Sequence, residues 1–172
     1  LSDGLLKALD TTSKVERKVE TTNTEAYEFY LKAKYKYEKR EKTDDTEITR
    51  GLLNKAIELD NNLIVAKLLL GGTYLHMGDY DKGMEIFTLT LTQAEELGDK
   101  RGMGNSINSI GVVYHYKGDY DSALDYFERS LAIQEDLGDK RCYGNSVNHL
   151  EVIYLNTRDY EKALDCIYRS LP

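Results

Sequence analysis

LGDKRGMGNSINSIGVVY, Leu97 to Tyr114, returns forty residues later as LGDKRCYGNSVNHLEVIY, Leu137 to Tyr154. Eleven of the eighteen positions are identical, and they include Lys, Arg and two Asn alongside the apolar residues that a core requires. Recurrence at a fixed period marks a chain built from stacked structural units, so the period is read before any single element. Gly78-Asp79-Tyr80, Gly118-Asp119-Tyr120 and Arg158-Asp159-Tyr160 keep the same interval of forty.

After each of these tripeptides the apolar residues fall at steps of three and four: Tyr120, Ala123, Leu124, Phe127 and Leu131, copied as Tyr160, Ala163, Leu164, Ile167 and Leu171. That spacing draws one stripe along a helix. Before each tripeptide runs a second helical pattern, Ile107, Ile110, Val113 and Tyr114, copied as Val147, Leu150, Ile153 and Tyr154. Each unit therefore reads as two helices joined by a tight turn. Gly78 and Gly118 supply the positive φ that ends a helix, and the following Asp caps the next one; Gly98-Asp99 and Gly138-Asp139 do the same between units.

These residues resemble the tetratricopeptide repeat. Gly111, Tyr114, Gly118, Tyr120, Ala123, Phe127 and Ser130 occupy the signature positions of the third unit, and Gly71, Tyr74, Gly78, Tyr80, Gly83 and Phe87 those of the second. The fourth keeps Tyr154, Tyr160, Ala163 and Ile167, with Glu151 where a small residue is expected and Arg158 where Gly is usual. The first is eroded, Thr49 and Leu53 replacing Ala and Phe. The resemblance implies an all-α fold, an α-solenoid of stacked antiparallel hairpins with units at about 23–61, 62–98, 99–138 and 139–172. It also implies that the first helices line a concave groove.

Residues 1–22 read differently. They resemble the junction in multidomain bacterial signalling proteins where a TolB-like or cyclase-associated domain runs into C-terminal tetratricopeptide repeats. On that reading Leu5, Leu6 and Leu9 belong to a linker or helix from an upstream domain; otherwise they cap the array. The chain does not begin with Met, which fits a piece of a longer protein.

Composition narrows the function. The formal charge of the 172 residues is −7, unfavourable for a nucleic-acid backbone or an anionic membrane surface. No apolar run reaches the roughly 20 residues that span a bilayer. Cys142 and Cys166 are too few for a disulfide framework and lack zinc or redox spacing, so a cytoplasmic chain with reduced thiols is expected. No phosphate-binding loop, zinc-protease helix or nucleophile elbow is present. The three histidines lack metal-ligand spacing, so no catalytic residue, metal or cofactor is assigned.

Alignment with the family places Asn105, Asn108, Val112, His115 and Tyr116 toward the groove, with Asn145, Asn148, Val152, Leu155 and Asn156 one unit on and His76 one unit back. Asn is a middling helix former, so a pair three apart on one face, repeated, calls for a reason. A carboxamide offers both a donor and an acceptor to the backbone of an extended peptide. The same pairs could instead bond one another as a structural ladder. Lys100-Arg101 and Lys140-Arg141 sit in a first helical turn, where the macrodipole disfavours cations. Arg101 and Arg141 either draw a ligand carboxylate to the groove mouth or pair with acids at the end of the preceding helix, such as Glu95, Glu96, Glu135 and Asp136.

The expected function is a non-catalytic module binding a protein or peptide partner, without nucleic acid or membrane. A regulatory or spacer region of a larger signalling enzyme is the alternative, as is a homodimer formed through an exposed C-terminal helix face.

Overall fold

A computed structural model describes residues 23–40 and 43–170, and among these it contains eight helices and no strand. In chain order they are α1 (Thr24–Glu38), α2 (Thr43–Leu59), α3 (Ile64–His76), α4 (Tyr80–Leu97), α5 (Lys100–Lys117), α6 (Tyr120–Asp136), α7 (Lys140–Asn156) and α8 (Tyr160–Ser170). Residues 1–22, with the leucines assigned above to a linker or capping helix, lie outside the described residues. Each helix packs against its neighbours in sequence, and the first helices of successive hairpins, α1, α3, α5 and α7, also touch one another. Contacts between near neighbours alone make the array quasi-one-dimensional.

The boundaries are chemical. Asp79, Asp99, Asp119 and Asp139 each accept a hydrogen bond from the backbone amide three residues on, those of Lys82, Gly102, Ser122 and Cys142. Each cap satisfies one of the free amides that a helix start exposes. Gly98 and Gly118 close α4 and α5 in the left-handed region, at φ 65° and 79°. Arg158, standing where the earlier units have Gly78 and Gly118, is forced into the same region at φ 63°.

The interior divides along the array. Leu53, Ala56, Leu63 and Ala66 close the first hairpin on Ala26 and Ala33; Phe87, Ile110 and Val113 form the next layer; Phe127, Val147, Leu150 and Ile153 centre the last. Thr49 and Leu53 are fully buried, so the eroded first unit still packs, helped by Asn23 Nδ2, which donates to the Leu59 carbonyl at 2.8 Å. Inside two hairpins a glycine receives an aromatic ring. Gly71 lies under Phe87, and Gly111 lies so close to Phe127 that an added Cβ would stand 2.8 Å from the ring. In the fourth unit both partners change, to Glu151 and Ile167, and Ile167 is left 38% exposed where Phe127 is fully buried.

Candidate functional site

The face shared by α3, α5 and α7 carries the residues singled out by sequence, and the structure sorts them into two kinds. The side-chain amides of Asn105, Asn145, Asn148 and Asn156 have no hydrogen-bond partner among the described residues, and the last three are exposed. Val152 and Leu155 lie beside them, also exposed. Val112 is half-buried and packs against the last core layer.

Asn108 behaves differently. Its Oδ1 stands 3.0 Å from Ser146 Oγ, on the neighbouring helix α7. Ser146 Oγ in turn lies 2.8 Å from Gln134 Oε1; Gln134 Nε2 donates to Ser130 Oγ at 2.8 Å, and Ser130 Oγ donates to the Gly104 carbonyl at 2.8 Å. Ser130, Gln134 and Ser146 are all buried, so the half-buried Asn108 is the outer end of a polar chain that crosses from α7 through α6 back to α5. The equivalent of Gln134 one unit earlier is Ala94, and there Ser106 bonds only to the carbonyl of Gly102 in its own helix. The sequence carried this signal in the Ala-to-Gln change, but the contact joins residues 12 to 38 apart on three helices.

The aromatics mostly pack. Tyr116 stacks on Tyr80, with centroids 5.7 Å apart and planes at 10°. His115 meets Tyr116 and Tyr120 edge-on, and its Nδ1 is buried without a hydrogen-bond partner among the described residues. His149, off the predicted line, stacks on Phe127 at 4.9 Å. Burial, and then the nearby His115, holds its imidazole below the ordinary range. His76 is exposed; Arg40 Nη2 comes within 3.4 Å of its Nδ1 and Tyr37 meets its ring edge-on. The Tyr37 hydroxyl also donates to the Gly72 carbonyl at 3.4 Å, which extends the face onto α1, a contribution the sequence pattern did not reveal.

The first basic pair, Lys100 and Arg101, finds acids, though not those nearest in sequence. Lys100 Nζ lies 2.9 Å from Asp136 at the far end of its own hairpin, and Arg101 lies 3.1 Å from Asp139, the cap of α7. A hydrogen bond to Lys100, and its charge, hold the Asp136 carboxyl below the usual carboxylate range. Asp139 is also lowered, despite partial burial, by the Cys142 amide and the charges of Arg101 and Arg141. Arg101 is therefore engaged within the stack; Arg141 is exposed.

The sequence profile of the tetratricopeptide repeat matches residues 62–136 and 103–172. No curated protein matches the chain closely enough to be counted as a relative. Among solved structures, a Rap protein complexed with competence and sporulation factor superposes with a TM-score of 0.78 at 19% identity, over 97% of this chain and 48% of that one. Aspartyl phosphate phosphatase F from Bacillus subtilis gives 0.74 at 20% identity, over 96% and 45%. A signal-transduction ATPase with numerous domains and a tetratricopeptide repeat sensor, from Pyrococcus horikoshii, gives 0.67 at 22%, over 97% and 26%. At such identities the likeness is one of fold, and the chain spans less than half the length of each of these three proteins.

Proposed function

We propose that this chain, which belongs to the tetratricopeptide repeat family, is a non-catalytic interaction module that holds an extended peptide or partner segment on the face shared by its first helices. The observation that carries this reading is the exposed pair Asn145 and Asn148, whose amides have no hydrogen-bond partner among the described residues, beside exposed Val152 and Leu155. A helix gains nothing locally from two asparagines, whereas a peptide backbone is matched by their donors and acceptors. The Rap protein of similar fold is complexed with a competence and sporulation factor, which supports a ligand-holding role by analogy only. The net charge of −7 argues against a nucleic-acid partner, and among the described residues no helix is long and apolar enough to cross a membrane. A cytoplasmic setting, with Cys142 and Cys166 reduced, belongs to the same proposal.

The test is a fluorescence screen of extended peptides against the parent and the Asn145→Ala/Asn148→Ala variant. Because neither amide bonds any of the described residues, the variant should melt with the parent yet bind at least about tenfold more weakly, the effect of losing about 1.4 kcal/mol. Equal affinity for both proteins would sink the clamp. No binding by either would favour a spacer role in a larger signalling chain, behind a TolB-like or cyclase-associated domain.

One observation favours self-association as a second reading. Tyr160, Leu164, Ile167 and Tyr168 on α8 are exposed at 64%, 50%, 38% and 64%, whereas the equivalent Tyr120, Leu124 and Phe127 pack in the last core layer with α7. Sedimentation at rising concentration, with Leu164→Glu as the disrupting variant, reads it directly.

A further inference from the structure

The polar chain behind Asn108 fixes which way that side chain faces, and hence what it offers to a ligand. The chain ends on the Gly104 carbonyl, which can only accept. At 2.8 Å from that oxygen, Ser130 Oγ must spend its single proton there. Ser130 therefore accepts from Gln134, which turns the Gln134 amide nitrogen toward Ser130 and its Oε1 toward Ser146. That oxygen needs a donor, and among the described residues it has the Ser146 hydroxyl at 2.8 Å, whose single proton is thereby committed. The contact of 3.0 Å between Ser146 Oγ and the Asn108 carboxamide then has no proton from the serine side. It becomes a hydrogen bond when the carboxamide makes a half-turn about its last side-chain bond, an exchange of nearly isosteric atoms.

We propose that Asn108 donates its amide to Ser146 and presents its carbonyl oxygen to the groove, so that this position is a fixed hydrogen-bond acceptor for a ligand N–H, with Ser146, Gln134 and Ser130 as positioning residues. Asn145 and Asn148, which have no hydrogen-bond partner among the described residues, are not oriented by such a chain. The groove then has one preset polarity: it takes a main-chain N–H opposite Asn108 and rejects a carbonyl placed there, because two acceptors would face each other without a proton. The consequence for ligands rests on the peptide-binding reading above; the orientation itself does not.

The test therefore reads the orientation without a ligand. In the NMR spectrum of the free protein, the Asn108 side-chain NH2 protons should show cross-relaxation to the Ser146 β-protons and exchange with water more slowly than those of Asn148. In parallel, Asn108→Asp places a second acceptor against Ser146, so it should melt below the parent at pH 7. It should regain ground against the parent on acidification, once the carboxyl carries a proton it can donate. Asn108 amide protons that exchange as fast as those of Asn148, or an Asn108→Asp protein as stable as the parent at pH 7, would overturn the proposal. Either result leaves the peptide screen to be judged separately, since Asn145 and Asn148 are outside the chain of bonds.

Discussion

Lys100 Nζ lies 2.9 Å from the carboxylate of Asp136, so the first residue of α5 meets the last residue of α6. This explains a cation at a helix start. The dipole of α5 disfavours it, but in an antiparallel hairpin the same position lies beside the negative C-terminal end of α6. Both side chains are well exposed, and exposed pairs contribute little. Arg101 instead crosses to the next hairpin, where the Asp139 side chain is 10% exposed and also caps α7. Lys100→Ala should leave the urea midpoint unchanged, while Asp139→Ala should cost about 1–2 kcal/mol through the lost cap. Comparable losses at both positions would mean that the surface pair matters as much as the cap.

Arg158 holds a left-handed conformation, φ 63°, that Gly78 and Gly118 adopt freely. An L-residue there is strained by roughly 1–2 kcal/mol. Arg158→Gly should raise stability in denaturant unfolding by about 1 kcal/mol, reduced somewhat by the entropy that glycine adds to the unfolded chain.

Gly111 and Gly144 look alike in sequence but differ in space. A Cβ at Gly111 would meet the Phe127 ring at 2.8 Å, whereas at Gly144 it would meet nothing within 4 Å. Gly111→Ala should destabilise by about 1–3 kcal/mol through overpacking. Gly144→Ala, in the second turn of α7, should stabilise by about 0.5–1 kcal/mol. A shared sign for the two would contradict the placement of the ring.

Stability should also fall with acid in a way that His149 controls. Its imidazole, stacked on Phe127 and close to His115, titrates below the ordinary value in the folded chain. As pH drops below about 6.5, the unfolded chain takes up a proton that the folded chain refuses, so folding weakens through that window. Below the lowered folded value both states are protonated and the loss is complete. His149→Phe keeps a ring against Phe127 without the titration, so its melting temperature should overtake the parent's between pH 7 and pH 5. Parallel curves would assign the acid sensitivity to other groups.

How much was legible depended on the range of each interaction. The capping aspartates, the closing glycines and the buried Ile110, Val113, Leu150 and Ile153 were readable because a cap spans three residues and a helical stripe repeats every three or four. Glu151 in place of Gly111 was visible as a departure while Ile167 was counted as kept; that Ile167 is partly exposed where Phe127 is fully buried belongs to the packed hairpins. Among the groove candidates, the sequence treated Asn108 and Asn148 as equals. That Asn108 meets Ser146 of the following hairpin was decided by the stacking of the helices.

The sequence by itself determined the repeat, the all-α hairpins, their ends and the faces that are buried, since period, propensity and capping are local properties. The tertiary structure decided which partners the residues meet: Asn108 set against Ser146 of the next hairpin, Lys100 closing its own hairpin while Arg101 bridges to the next, His115 and Tyr116 turned into ring contacts. The physical reason is that hydrogen bonds and ion pairs act over a few ångströms. Which residues 36 or 38 positions apart come that close is set by how the hairpins stack, and no local pattern encodes it.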